Sequence, residues 1–160
     1  MLDMLIVGGT IVDGSGSPEY HAAVGVEGDL IKILRGDVSE IKAKSTIDAK
    51  GRVVTPGFID VHAHSALMIL HDPFHLPKAH QGVTTELYGI DGNSYAPFAK
   101  QKDLDDFIVL NAGLEGSPPI TADWSSVSDY LGRYDGRVSV NVAYIVGNSP
   151  LRIGAVGWDD

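Results

Sequence analysis

One dipeptide, Pro56-Gly57, separates two hydrophobic rhythms, and this change of rhythm constrains the fold more than any other feature of the chain. Proline lacks a backbone donor and glycine costs order in an element interior, so a regular strand or helix is not expected to run through the pair. Before it lie short apolar runs broken by Gly and Asp. Residues 4–7 are followed by Gly8-Gly9, and 10–12 stop at Asp13-Gly14-Ser15-Gly16. Residues 22–26 meet Glu27-Gly28-Asp29, and 30–34 end at Arg35-Gly36-Asp37. Residues 45–48 lead through Ala49-Lys50-Gly51-Arg52 to 53–55. Short strands at regular spacing with such turns predict a small antiparallel sandwich or sheet over residues 1–55.

Beyond the break, apolar strands alternate with helix-like stretches. Residues 58–61 are apolar apart from Asp60; 83–88 and 138–146 read as two further buried strands. Residues 104–110 are apolar at helical spacing, with Asp103 as the N-cap candidate. Residues 121–134 carry Trp124, Val127, Tyr130 and Leu131 close to one helical stripe, which predicts Trp124 and Tyr130 in the core. Asp103, Asp105 and Asp106 read as a helix start and solvated face. Such alternation marks parallel βα units and an α/β class. A closed eightfold barrel needs roughly 250 residues. Residues 56–160 therefore hold about three βα units, either a small open α/β domain or the front of something larger.

Composition narrows the partners. A net charge of -9 argues against nucleic acid and anionic membrane surfaces. The absence of cysteine excludes disulfides, thiolate zinc sites and a cysteine nucleophile, leaving nitrogen and oxygen ligands for a metal. The first residues, Met1-Leu2-Asp3-Met4, lack the basic start of a signal peptide, and no apolar stretch reaches the span of a membrane helix, so the expected location is the cytoplasm.

Phe58-Ile59-Asp60-Val61-His62-Ala63-His64 is the strongest local feature. Side chains two apart on a strand share a face, so His62 and His64 are expected to point the same way at the strand's end. Two imidazoles so placed either bind one metal ion or face water. Asp60 shares that face and is expected to ligate or to orient an imidazole. In βα folds catalytic groups sit at this end of a strand. Ser65, Ser94 and Ser149 have no nearby His–acid arrangement. His21 reads as a surface residue, and His71, His75 and His80 as solvated or loosely packed.

The run Val54-Thr55-Pro56-Gly57-Phe58-Ile59-Asp60-Val61-His62-Ala63-His64 resembles the first-strand signature of the amidohydrolase superfamily. Leu5-Ile6-Val7-Gly8-Gly9-Thr10-Ile11-Val12-Asp13-Gly14 and Asp48-Ala49-Lys50-Gly51 are similar to that superfamily's N-terminal β-sandwich segment. Gln81-Gly82-Val83-Thr84-Thr85-Glu86, then Gly89-Ile90-Asp91-Gly92-Asn93-Ser94-Tyr95-Ala96-Pro97, resemble the N-acyl-D-amino-acid deacylase (D-aminoacylase) branch, as does Asn141 through Arg152.

The resemblance implies part of a small N-terminal β-sandwich in residues 1–55 and, in 56–160, the first βα units of a TIM-type (β/α)8 barrel, incomplete in this chain. It implies zinc, one or two ions or another divalent metal, held by His62 and His64. Asp91 stands where that branch often has a cysteine ligand, and a carboxylate can also ligate zinc. Asn148 and Ser65-Ala66 depart from the family pattern, which often shows a histidine and an acid there. The implied activity is metal-dependent hydrolysis of the amide bond of N-acyl-D-amino acids, small-molecule substrates whose carboxylate Arg152 or Lys78 are candidates to meet. The general-base aspartate is expected on a later strand outside this chain, so the 160 residues alone are expected to be inactive. The alternatives are a non-catalytic fragment that forms a homo-oligomer or needs a complementing chain, and another amidohydrolase such as a cyclic-amide hydrolase or dipeptidase.

Overall fold

The computed structural model describes residues 1–158. Two compact units divide the chain, Met1–Pro56 and the residues from Gly57 onward.

In the first unit, β1 (Leu2–Val7) is flanked in a four-stranded sheet, whose other strands are β4 (Ala23–Glu27), β5 (Leu30–Leu34) and β6 (Ala43–Asp48). The short strands β2 (Thr10–Ile11), β3 (Tyr20–His21) and β7 (Val53–Val54) make a second sheet. The turn chemistry at Gly28 does form a hairpin: Glu27 pairs with Leu30, and Gly28 takes φ +57°. The purely antiparallel expectation is corrected, because β1 pairs with β6, and β2 with β7, in parallel. Hairpin chemistry is local; the pairing of strands about forty residues apart has no turn to announce it. Leu2, Leu5 and Ala23 form a buried cluster here, Ile11, Val24 and Ala49 are buried as well, and a side chain at Gly25 would strike Leu2, so glycine lets that packing close.

In the second unit, β8 (Phe58–Asp60), β9 (Val83–Tyr88) and β10 (Asn141–Tyr144) form a parallel sheet with β9 in the middle. Between them run α1 (Met68–His71), α2 (Leu76–Ala79), α3 (Gln101–Glu115) and α4 (Val127–Leu131), and α5 (Asn148–Val156) follows. The mixed α/β class expected from the sequence is found. Alternation gives the sheet two faces. Glu86, Tyr88, Val142 and Tyr144 lie on the one packed against the helices, and Ile59 and Ala143 on the open one. Trp124 and Tyr130 are buried, within an aromatic core that includes Tyr88, Tyr95, Phe98, Phe107 and Tyr134.

Helix boundaries differ from expectation. Lys100, not Asp103, precedes α3; Asp103 lies in its first turn, where an acid favours the positive end of the helix dipole. The helix runs on to Glu115, burying Leu104, Phe107, Asn111 and Glu115 along one stripe. The stripe predicted over 121–134 is helical only over Val127–Leu131, because Ser126 caps it, accepting from the Asp129 N–H at 3.0 Å. Trp124 therefore stands ahead of the helix and donates its indole N–H to the Tyr95 carbonyl at 2.7 Å.

Candidate metal centre

Strand β8 ends at Asp60, so the pleat does not set the two histidines side by side as the sequence suggested. A turn does. Asp60 Oδ1 accepts the His62 backbone N–H at 3.0 Å, and Oδ2 accepts from Lys78. Asp60 thus acts on His62 through the backbone from which that imidazole springs, not through a hydrogen bond to a ring. The Lys78 ammonium and that N–H hold its carboxyl below the usual carboxylate range.

His62 and His64 face each other with ring centroids 5.3 Å apart. Asp91 closes the group: its Oδ2 lies 2.9 Å from His62 Nε2 and 3.3 Å from His64 Nε2. One donor atom from each of the three residues falls within 4.8 Å of the others.

Asp91 arrives there on the tight turn Ile90–Gly92, at φ +55° and ψ +21°. Its glycine neighbours make the turn possible. A side chain at Gly89 would sit 1.8 Å from the Ile145 carbonyl oxygen, and one at Gly147 would sit 2.2 Å from the Gly92 carbonyl oxygen. The turn is thus clamped against the chain leaving β10, and Ser94 strengthens the clamp by accepting the Gly147 N–H at 2.8 Å. Asp91 belongs to a built turn, and its left-handed backbone is tolerated by aspartate better than by most residues.

Two imidazole nitrogens and a carboxylate oxygen are a donor set suited to zinc and related divalent ions, and three protein donors leave a coordination position open. His62 is 60% exposed and His64 22%, so the group is reachable by solvent from the His62 side.

Two buried acids went unread in the sequence. Glu115, at the end of α3, lies 3.2 Å from His64 Nδ1. Burial raises its pKa against the opposing influence of His64 and Tyr95. Glu86 is 0% exposed. It accepts from Ser65 Oγ at 3.1 Å and Tyr88 Oη at 2.5 Å, and its oxygens lie 3.1 Å from His75 Nε2 and 3.2 Å from Lys78 Nζ. Burial pushes this carboxyl up, but Tyr88, His75 and Lys78 outweigh it and hold the pKa below the ordinary value. The Tyr88 hydroxyl is pushed upward, first by burial and then by Glu86. An acid inside the otherwise uncharged run Val83–Tyr88 was the available signal, since a buried charge needs partners.

The remaining histidines divide. His71, His80 and His21 are exposed. His75 corrects the expectation of a solvated or loosely packed ring: it is 8% exposed and paired with Glu86. Lys78 is engaged by Asp60 and Glu86 rather than placed for a substrate carboxylate.

An α/β chain that gathers two histidines and an acid beyond its strand ends has the build of a metal-dependent hydrolase. Residues 45–146 match the model of the amidohydrolase family, and the chain belongs to that family. It is 38% identical over 156 residues to N-acyl-D-glutamate deacylase of Alcaligenes xylosoxydans xylosoxydans, covering 97% of this chain and 30% of that protein. It is 39% identical over 151 residues to D-aminoacylase of the same organism, covering 94% of this chain and 30% of that protein. A D-aminoacylase structure with a binuclear metal centre superposes with a TM-score of 0.80 at 37% identity, over 98% of this chain and 32% of that one. N-acyl-D-glutamate deacylase from Bordetella bronchiseptica, complexed with zinc and a phosphonate inhibitor, gives 0.79 at 37% identity, over 97% and 31%. The chain thus spans about a third of the length of these relatives.

Proposed function

We propose that this chain is the zinc-binding front portion of an N-acyl-D-amino-acid deacylase. Under this reading residues 1–55 belong to a β-sandwich and the rest to the first βα units of a TIM-type barrel. The observation that carries it is the convergence of His62, His64 and Asp91 within 4.8 Å in a chain whose relatives include D-aminoacylases. His62 and His64 would ligate through Nε2, and Asp91 through a carboxylate oxygen that takes the place of a thiolate.

A zinc ion so held supplies a lowered water pKa and a polarised acyl carbonyl. The chain's own part is to hold and orient. Asp60 and Lys78 fix the backbone at His62, and Glu86 accepts from Ser65 beside His64. The proton transfer to the leaving amine is assigned to an aspartate outside this chain. The open sheet face, with Ile59 65% exposed, and Val61 just past the strand at 64%, support association with a complementing chain or a second copy. A cytoplasmic location belongs to the same reading.

The test is amine release from N-acetyl-D-glutamate and N-acetyl-D-methionine in zinc buffer, with the L enantiomers and cyclic amides as controls. The chain is assayed alone and with a polypeptide carrying the remaining two-thirds of a D-aminoacylase. The proposal expects turnover of D substrates only in the mixture, abolished by His64→Asn. Turnover of cyclic amides in preference to D substrates, or none in a mixture shown to assemble, overturns it.

A further inference from the structure

We propose that Glu115 is a positioning residue for the metal centre: it accepts a hydrogen bond from the Nδ1–H of His64, keeps the proton on that nitrogen, and thereby leaves Nε2 of the ring to bind the ion. The proposal rests on the reading of His62, His64 and Asp91 as metal ligands.

The geometry around the His64 ring is two-sided. Nδ1 lies 3.2 Å from Glu115 Oε1, and Nε2 lies 3.3 Å from Asp91 Oδ2. A neutral imidazole carries one N–H, and the nitrogen that keeps it is set by the hydrogen bond made there. An ionised carboxylate accepts and cannot donate, so a carboxylate at Nδ1 selects the Nδ1–H tautomer and turns the lone pair of Nε2 toward Asp91.

Glu115 is placed to do this without moving. Its side chain is 4% exposed, and its residue closes the buried stripe of α3. Gly116 ends the helix at φ +80°, and a side chain there would sit 2.9 Å from Met68 Sδ, so the helix end is seated closely on α1. Tyr95, itself buried, is the other polar neighbour of the carboxylate. His62 is held differently, through its backbone N–H and Asp60. One histidine is thus oriented at the ring and the other at the main chain.

A buried acid beside a histidine is also an ordinary structural pair, so the test must read the metal. Zinc affinity is measured by competition with a chromophoric chelator, and cobalt(II) by its visible absorption, on the chain and on its Glu115→Leu and Glu115→Gln variants. Metal-free melting curves report folding. Glu115→Leu is expected to lose about 10–100-fold in affinity and to change the cobalt spectrum. Glu115→Gln keeps an acceptor oxygen at the same place and is expected to stay near the affinity of the unaltered chain.

Unchanged affinity and spectrum in a folded Glu115→Leu overturn the proposal. Should that variant not fold, the imidazole nitrogen resonances of His64 in the zinc-loaded, unaltered chain decide: a protonated Nδ1 and a metal-bound Nε2 support it, and the reverse overturns it. Absence of zinc or cobalt binding by the unaltered chain overturns the metal centre itself, and the role of Glu115 falls with it.

Discussion

The unit Met1–Pro56 encloses only small aliphatic groups: Leu2, Leu5 and Ala23 form its packed cluster and Ile11, Val24 and Ala49 are also buried, while Leu30, Ile31 and Ile33 of β5 lie open. The unit from Gly57 encloses Tyr88, Tyr95, Phe98, Phe107, Trp124, Tyr130 and Tyr134, with their rings in edge and tilted contact. Both units carry exposed ion pairs, such as Asp3 with Lys44 in the first and Lys102 with Asp106 in the second. In the second, Glu86 and Glu115 are buried with partners. A convergent ligand set needs side chains held in fixed places, and a dense core supplies that where a thin sheet does not.

The largest effect that tests this contrast is removal of a central ring. Tyr130→Ala is expected to cost about 3–5 kcal/mol in the second unit. Both tryptophans, Trp124 and Trp158, lie in that unit, so denaturant unfolding followed by tryptophan fluorescence reads it directly. Leu5→Ala in the first unit is expected to cost less, about 2 kcal/mol, since its sheet is partly solvated; hydrogen exchange of the β1 amides measures it. Equal costs would erase the distinction in packing.

Next comes the buried carboxylate. Glu86→Gln is expected to cost about 1–3 kcal/mol, because Lys78 and His75 lose a charged partner. The sign of its pH dependence is fixed. Glu86 is held below its ordinary 4.5, so its stabilisation is present above that value and lost as pH falls through the lower folded value. Lys78 is held above its ordinary 10.5 by Asp60, so its contribution is present below that value and fades as pH rises through the higher folded one. Urea midpoints between pH 3 and 7 are expected to fall more steeply at the acid end in the unaltered chain than in Glu86→Gln. The smallest effect belongs to the surface: Lys44→Ala is expected to leave the melting temperature unchanged within error, as exposed pairs contribute little.

Much of the second unit was legible. The run 83–88 is strand over its whole length, since a short β-branched and apolar stretch between glycines, broken only by Glu86, has few alternatives. His62 and His64 stood out by spacing, but the sequence attributed their convergence to a pleat, and an Asp60-anchored turn produces it. Asp91 was reachable only through family likeness; its nearness to the histidines depends on glycines seated against the end of β10, a contact between segments far apart in the chain. Glu115 was hidden because its partner lies 51 residues away. The parallel pairing of β1 with β6 was hidden for the same reason, while the hairpin at Gly28 was visible because its cause is local.

The central claim is that His62, His64 and Asp91 together hold a divalent ion. It is tested most directly by equilibrium dialysis against buffered zinc, with bound zinc counted per chain by mass spectrometry. The unaltered chain is compared with the triple variant His62→Asn, His64→Asn, Asp91→Asn, whose fold is checked by circular dichroism. The account predicts at least one zinc ion per unaltered chain and none on the folded variant. Equal zinc on both, or none on either, would contradict it.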